Sequence, residues 1–301
     1  MRVLVTGARG KVGRFAVAAL QRAGHEVTAT DLAPPAYERD PEGEAAYVRA
    51  DLADRGSVEH LVPGHDAVVH AAAIPDPIHD APHVVWANNL TSAFHVVEAC
   101  LRHGVPRLVN ISSETVPGFI FDHLDRFPER LPIDETTPAG AHDPYGFGKE
   151  TIERWCDRTV ERAPGLSIVS IRPSWVSWVG NYERNLGPLV REPFQDSRNF
   201  WSYTDAEDLG EAVRLACEVD LDGHEVVYVA QPDNCTGEPL ADLVARVYPD
   251  AGIALPDDLP RPDASGIDSS KAERLLGWRA TRSWRDHLDA DGRTRPEAPA
   301  G

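Results

Sequence analysis

Short apolar runs alternate with helically periodic segments along the first half of the chain. Residues 2–6 (RVLVT) form an apolar run that stops at glycine, the pattern of a buried parallel strand. Residues 11–23 then repeat apolar side chains at Val12, Phe15, Ala16, Ala19 and Leu20, which predicts a helix closed by Gly24. Further strands are expected over 26–30, 46–50, 66–71, 107–112 and 167–171, with long helices over 84–102 and 144–162. This alternation predicts an α/β fold, a Rossmann-type doubly wound parallel sheet with right-handed crossovers.

Beyond Pro173 the rhythm loosens. The stretch 174–202 holds Trp175, Trp178 and Trp201 among prolines and glycines. It is followed by a helix over 205–218, a strand over 225–230, a helix over 238–247, a linker over 249–262 and a helix over 269–276. The expected organisation is a dinucleotide-binding domain over 1–172, a small substrate-binding lobe over 173–289 and a disordered polar tail over 290–301. The lobe is too short for a core of its own, so it is expected to pack on the C-terminal edge of the sheet.

Charge narrows the partners. Forty-eight acidic residues against thirty basic ones give a net charge of −18, which repels phosphate backbones and anionic lipid heads. A small-molecule substrate is expected, with no nucleic acid and no membrane. No apolar run approaches the length that spans a bilayer. Cys100, Cys156, Cys217 and Cys235 are widely spaced, which argues against a disulfide or metal framework and for a cytoplasmic location. His79 and His83 stand four apart without a third ligand nearby and read as solvated loop residues, so no metal is expected.

The turn after the first strand reads Thr6-Gly7-Ala8-Arg9-Gly10-Lys11-Val12-Gly13. Glycines at 7, 10 and 13 permit a tight turn, close backbone approach and close helix–strand packing, and the helix start presents free N–H groups to a pyrophosphate. Asp31, at the end of the second strand, suits the two ribose hydroxyls of NAD and opposes the 2′-phosphate of NADP. Asp51-Leu52 ends the third strand, at the adenine edge. Ala71-Ala72-Ala73 ends the fourth, where small residues let a dinucleotide pass close to the backbone.

Tyr145 and Lys149 are four apart on an expected helix and share one face. A free phenol titrates near ~10, and a fixed ammonium beside it favours the phenolate. Ser112-Ser113 ends the fifth strand on the same edge as the glycine turn, where one hydroxyl can hold a substrate oxygen against the phenol. Lys149 is one of only three lysines, with Lys11 and Lys271.

In this order the motifs resemble the extended short-chain dehydrogenase/reductase family, also called NAD-dependent epimerase/dehydratase. The matching residues are TGARGKVG at 6–13, Asp31, Asp51-Leu52, HAAA at 70–73, Asn89 with EAC at 98–100, Ser112-Ser113, and Tyr145 with Lys149. Arg172-Pro173, Tyr203-Thr-Asp205 and SSKAERLLGW at 269–278 extend the match. The resemblance implies that Ser113 positions a substrate oxygen, that Tyr145 exchanges its proton, and that Lys149 binds the nicotinamide ribose and tunes Tyr145. It also implies that Asn89 lies in the cofactor site, and that homodimers form through the two long helices.

Three departures bear on the reaction. Pro117-Gly118 stands where sugar-nucleotide members carry Tyr-Gly. Glu114-Thr115 follows Ser113 where dehydratases carry Asp-Glu, so one of the two carboxylates of an elimination is missing. The step from Arg172 to Tyr203 is only thirty-one residues, short for a platform that holds a nucleotide diphosphate. A small polar, sugar-like substrate fits better, and the short lobe resembles uronate dehydrogenase members. The expected activity is NAD-dependent hydride transfer to or from a hydroxyl or carbonyl carbon, with sugar-nucleotide epimerisation as the alternative. Glu114, Arg172 and Trp175 join Ser113 as candidate substrate contacts. The tryptophan offers a stacking face, and Arg172 or Arg198 offers a guanidinium for a carboxylate.

Overall fold

The computed structural model describes residues 1–34, 45–121 and 124–296. The strands are β1 (Arg2–Thr6), β2 (Glu26–Asp31), β3 (Ala46–Arg49), β4 (Ala67–His70), β5 (Arg107–Ile111), β6 (Ser167–Pro173), β7 (Val176–Ser177), β8 (Thr204–Asp205) and β9 (His224–Val229). The helices are α1 (Gly13–Arg22), α2 (Arg55–Leu61), α3 (Pro82–His103), α4 (Pro144–Arg162), α5 (Tyr182–Asn185), α6 (Gly187–Arg191), α7 (Ala206–Glu218), α8 (Leu240–Val247) and α9 (Ser270–Leu276).

Seven strands pair in the order β3-β2-β1-β4-β5-β6-β9, each pair parallel. The order reverses between β1 and β4, which opens a crevice at the C-terminal strand ends. Although the strands read as continuous apolar runs, successive side chains go to opposite layers. Val3 and Val5 pack in the layer of α1, α7 and α9, whereas Leu4 packs with α2, α3 and α4. Each buried valine or leucine contributes about 1.5–3 kcal/mol.

Several boundaries differ from expectation for physical reasons. Helix α1 starts at Gly13, not residue 11, because Gly10 N–H bonds Gly7 O and keeps the intervening residues in the turn. Strand β6 runs on to Pro173 because Arg172 and Pro173 pair with Tyr228 and Val229 of β9. The unexpected α2 is nucleated by Asp54, whose carboxylate accepts from Ser57 N and Ser57 Oγ.

The lobe carries a buried cluster containing Tyr182, Phe200, Trp201, Tyr203, Tyr228, Leu243 and Trp284. Part of this cluster comes from Phe119, Leu131 and Ile133, which precede α4, so a chain segment of the sheet half supplies the missing apolar area. Strand β9 and helix α7 return from the lobe half to complete the sheet. The expected disorder from residue 290 is also corrected. Thr294 bridges to Leu288 and donates to Glu183, and Arg295 N–H bonds His287 O. Residues 297–301 lie outside the described residues.

Asp208, buried at the start of α7, ties that helix to the segments that follow β9 and α9. Its carboxylate accepts from Gln231 Nε2 (2.6 Å), Thr281 N (2.9 Å), Thr281 Oγ1 (2.7 Å) and Arg282 N (3.0 Å). Asp208→Ala strands these donors, and chemical denaturation should show a loss of about 3 kcal/mol or more.

Candidate active site

The glycine turn is built by exclusion of side chains. A Cβ on Gly13 would sit 2.1 Å from Gly7 O, and one on Gly7 would sit 2.6 Å from Ala72 N. Gly7 has a φ of 62° and lies against the Ala71-Ala72 backbone, which Thr6 Oγ1 holds by accepting both N–H groups at 3.2 and 3.3 Å. No side chain caps α1, so its N-terminal donors face the crevice. Asp31 accepts from Arg9 N at 3.0 Å and Ala33 N at 3.1 Å, which fixes its carboxylate beside the turn. Asp51 is exposed and turns the chain into α2, while Leu52 is buried against the α2–α3 layer. This cradle, closed to any Cβ and edged by an acid, fits a dinucleotide with unmodified ribose. Gly7, Gly10, Lys11, Val12, Gly13, Asp31, Ala71, Ala72 and Ala73 are the residues that would hold it.

The Asn89 amide engages the backbone of Ile74, accepting from Ile74 N at 2.8 Å and donating to Ile74 O at 3.0 Å. It therefore shapes the loop after Ala73, with the second amide hydrogen left over.

Tyr145 sits in the first turn of α4, which Asp143 caps by accepting from Tyr145 N and Gly146 N at 2.9 and 2.8 Å. Its buried hydroxyl faces the Ser113 side chain, which favours the phenolate. Thr115 donates to Ser113 Oγ from both N (3.2 Å) and Oγ1 (3.0 Å), which leaves the serine proton free for the phenol side. Lys149, also buried, donates from Nζ to Ile111 O at 2.6 Å and lies 5.7 Å from the Tyr145 ring centroid. The expected triad is thus assembled by two elements, the end of β5 and the start of α4.

Burial sets the proton affinities. Desolvation pushes Tyr145 up to about 12, opposed by the Ser113 hydrogen bond and reinforced by the Asp143, Glu114 and Asp76 carboxylates. Desolvation pulls Lys149 down to about 8, with Glu153 acting in the opposite direction. His70 is held neutral, at about 3, by burial and by Lys149, with Thr6 Oγ1 3.0 Å from its Nδ1. The phenol of the free protein therefore keeps its proton, and a further positive charge at the crevice is what would release it.

Arg172 corrects the expected substrate contact. Its guanidinium donates to Glu153 through Nε (2.9 Å) and a terminal nitrogen (2.6 Å), and to Tyr228 Oη (3.2 Å). A buried arginine already paired in a fork is not available to a substrate carboxylate. Trp175 is 41% exposed and remains open to a ligand, whereas Trp201 is core and Trp178 packs on the Arg14 guanidinium. Glu114 is buried, accepts from Ser174 Oγ at 2.6 Å, and is pushed by desolvation up to about 8. It lies at a tightly packed seam with Phe119, Ile133, Arg198, Asn199 and Phe200 that leaves no room for a water molecule. Sequence reasoning missed Thr115 and Glu153. The spacing Tyr145, Lys149, Glu153 repeats every four residues on one helix face and was the available signal for the second.

The family model described as NAD dependent epimerase/dehydratase family matches residues 3–229. The chain belongs to that family. Among curated relatives, the uronate dehydrogenase of Pseudomonas syringae pv. tomato is 29% identical over 229 residues, covering 75% of this chain and 73% of the relative. The UDP-glucose 4-epimerase of Corynebacterium glutamicum is 26% identical over 311 residues, covering 92% and 90%. A short-chain dehydrogenase/reductase superfamily protein from Agrobacterium tumefaciens, solved with bound NAD, superposes with a TM-score of 0.71 at 21% identity, covering 95% of this chain and 94% of that one.

Glu114 generates a pH test. Its raised value means that the folded protein binds a proton more tightly than the unfolded chain between the ordinary 4.5 and about 8. Stability linked to this group is present at the acid end and is lost as pH rises through that window. Thermal melts of Glu114→Gln should therefore gain on wild type steadily from the acid end to the alkaline end, with the gap levelling off above the window.

Proposed function

We infer that the protein is an NAD-dependent dehydrogenase that oxidises a hydroxyl of a small unactivated sugar or sugar acid. The observation that carries this reading is the buried Tyr145 with Lys149 one turn along α4 and 5.7 Å from its ring, beside Ser113 and a glycine cradle where Gly7 and Gly13 exclude any Cβ. NAD, when bound, supplies the hydride acceptor and a positive ring. Ser113 holds the substrate hydroxyl, and Tyr145 Oη takes its proton. Lys149 holds the ribose and supports the phenolate electrostatically.

The small-substrate reading is supported by the short step of thirty-one residues from Arg172 to Tyr203, which leaves little chain for a nucleotide platform. Glu114, next to Ser113, suits a sugar hydroxyl, and the exposed Trp175 a ring face. The named activity of the Pseudomonas relative supports this class. Epimerisation of a sugar nucleotide is the second reading, favoured by the near full-length coverage of the Corynebacterium relative.

Purified protein given NAD⁺ with a panel of uronates, neutral sugars and sugar nucleotides separates the two. A dehydrogenase accumulates NADH with a free sugar or uronate, whereas an epimerase converts the nucleotide sugar with no net NADH. Tyr145→Phe should lower kcat by roughly 10²–10⁴-fold in either case while leaving dinucleotide binding in place. Absence of turnover with every substrate class removes the reading.

The same reading pairs two copies through α3 and α4. Val84, Phe94 and Phe147 are exposed on these helices, and Leu90, Phe94, Ile152 and Trp155 line an apolar groove between them. Trp155 Nε1 is buried without a partner. Sedimentation should show a dimer for wild type and a monomer for Phe94→Glu, since a charge on each copy would be buried against the other. A cytoplasmic location is supported by four buried free thiols. Among the described residues, no helix is long and apolar enough to cross a membrane.

A further inference from the structure

Glu153 has no part in the chemistry above, yet it lies at the junction of the elements that carry it. It follows Lys149 by one turn of α4 and is buried. Oε1 accepts from Ser112 Oγ at 2.5 Å and from Arg172 Nε at 2.9 Å, and Oε2 accepts from the other arm of Arg172 at 2.6 Å. Ser112 stands between Ile111 and Ser113. Three consecutive residues at the end of β5 therefore each meet one residue on a single face of α4. Ile111 O accepts from Lys149, Ser112 Oγ donates to Glu153, and the Ser113 side chain faces Tyr145. The middle contact is the one that no substrate or cofactor touches.

We propose that Glu153 is a positioning residue, clamping β5 to α4 through Ser112 so that the Ser113–Tyr145 and Ile111–Lys149 contacts hold their reactive geometry. Stability alone is a poor reason for the arrangement. A buried ion pair such as Glu153–Arg172 is often matched or exceeded in stability by apolar residues of the same volume. A clamp, by contrast, requires the directional bonds that a carboxylate provides, and small displacements of reacting groups cost rate steeply. Arg172 closes the far side by reaching Tyr228 on β9, so three elements are locked around one carboxylate.

The inference rests on the dehydrogenase reading, and its test separates the two. Glu153→Gln leaves a buried Arg172 uncompensated and risks unfolding, so the deciding variant is Ser112→Ala, which cuts one arm of the clamp and keeps the ion pair. The charged groups that face Tyr145 are Asp143, Glu114 and Asp76, with Lys149 5.7 Å from its ring, and those facing Lys149 are His70 and Glu153. None of them is altered by Ser112→Ala. Loosening the Ser113 bond, which lowers the phenol, should then move the rising limb of the oxidation rate to higher pH by about half a unit or more. It should also lower kcat at neutral pH about tenfold, with KM for NAD⁺ within about twofold of wild type. Ser112→Thr, which keeps the hydroxyl, should return the limb to its wild-type position. An Ser112→Ala enzyme whose limb is unmoved overturns the clamp, whether its kcat is unchanged or falls only in proportion to folded protein, provided Tyr145→Phe is inactive. An active Tyr145→Phe enzyme overturns the functional reading itself, and the clamp with it.

Discussion

Helix α4 carries Tyr145 and Lys149 on the face that it must also bury, and the contact of that face with the end of β5 is the constraint on which the site depends. Both side chains are removed from water, so each is costly in its charged form. The cost is managed by direction. Lys149 gives one proton to Ile111 O, the Tyr145 hydroxyl meets Ser113, and Glu153 is matched by Arg172. The free protein therefore holds an ammonium and a neutral phenol whose affinities burial has pushed apart, to about 8 and about 12. A cationic ring laid in the crevice would favour the phenolate.

The opposite wall of the crevice follows a different rule. There the requirement is the absence of side chains, because the Gly7 and Gly13 backbones lie against other backbone at distances a Cβ cannot share. One wall is thus defined by directional polar contacts and the other by close approach. The parallel register of β1, β4 and β5 brings the two together by aligning Thr6, His70 and Asn110 across the sheet.

The lobe illustrates how a small unit gains a core. Its aromatic cluster borrows Phe119, Leu131 and Ile133 from before α4, and its charged groups are tied through Asp208 and Asp233. This borrowed segment packs closely against Glu114 and Arg198, so the lobe core reaches the end of β5.

Most of the sheet was legible in the chain because parallel strands are short apolar runs and their helices have a period near 3.6, both local properties. The glycine triplet, Asp31, Ser113, Tyr145 and Lys149 were legible for a related reason, since each is placed by the end of an element whose position follows from that periodicity. Arg172, Thr115, Glu153 and the borrowed lobe core were not. An arginine reads the same whether it meets a substrate or a buried glutamate, and only the pairing of β6 with α4 and β9 brought Arg172 to Glu153. What the sequence determined by itself is which groups stand at the strand tips. Which of them remain free for a ligand was decided by long-range packing, because partnership of a polar side chain depends on neighbours that local sequence does not encode.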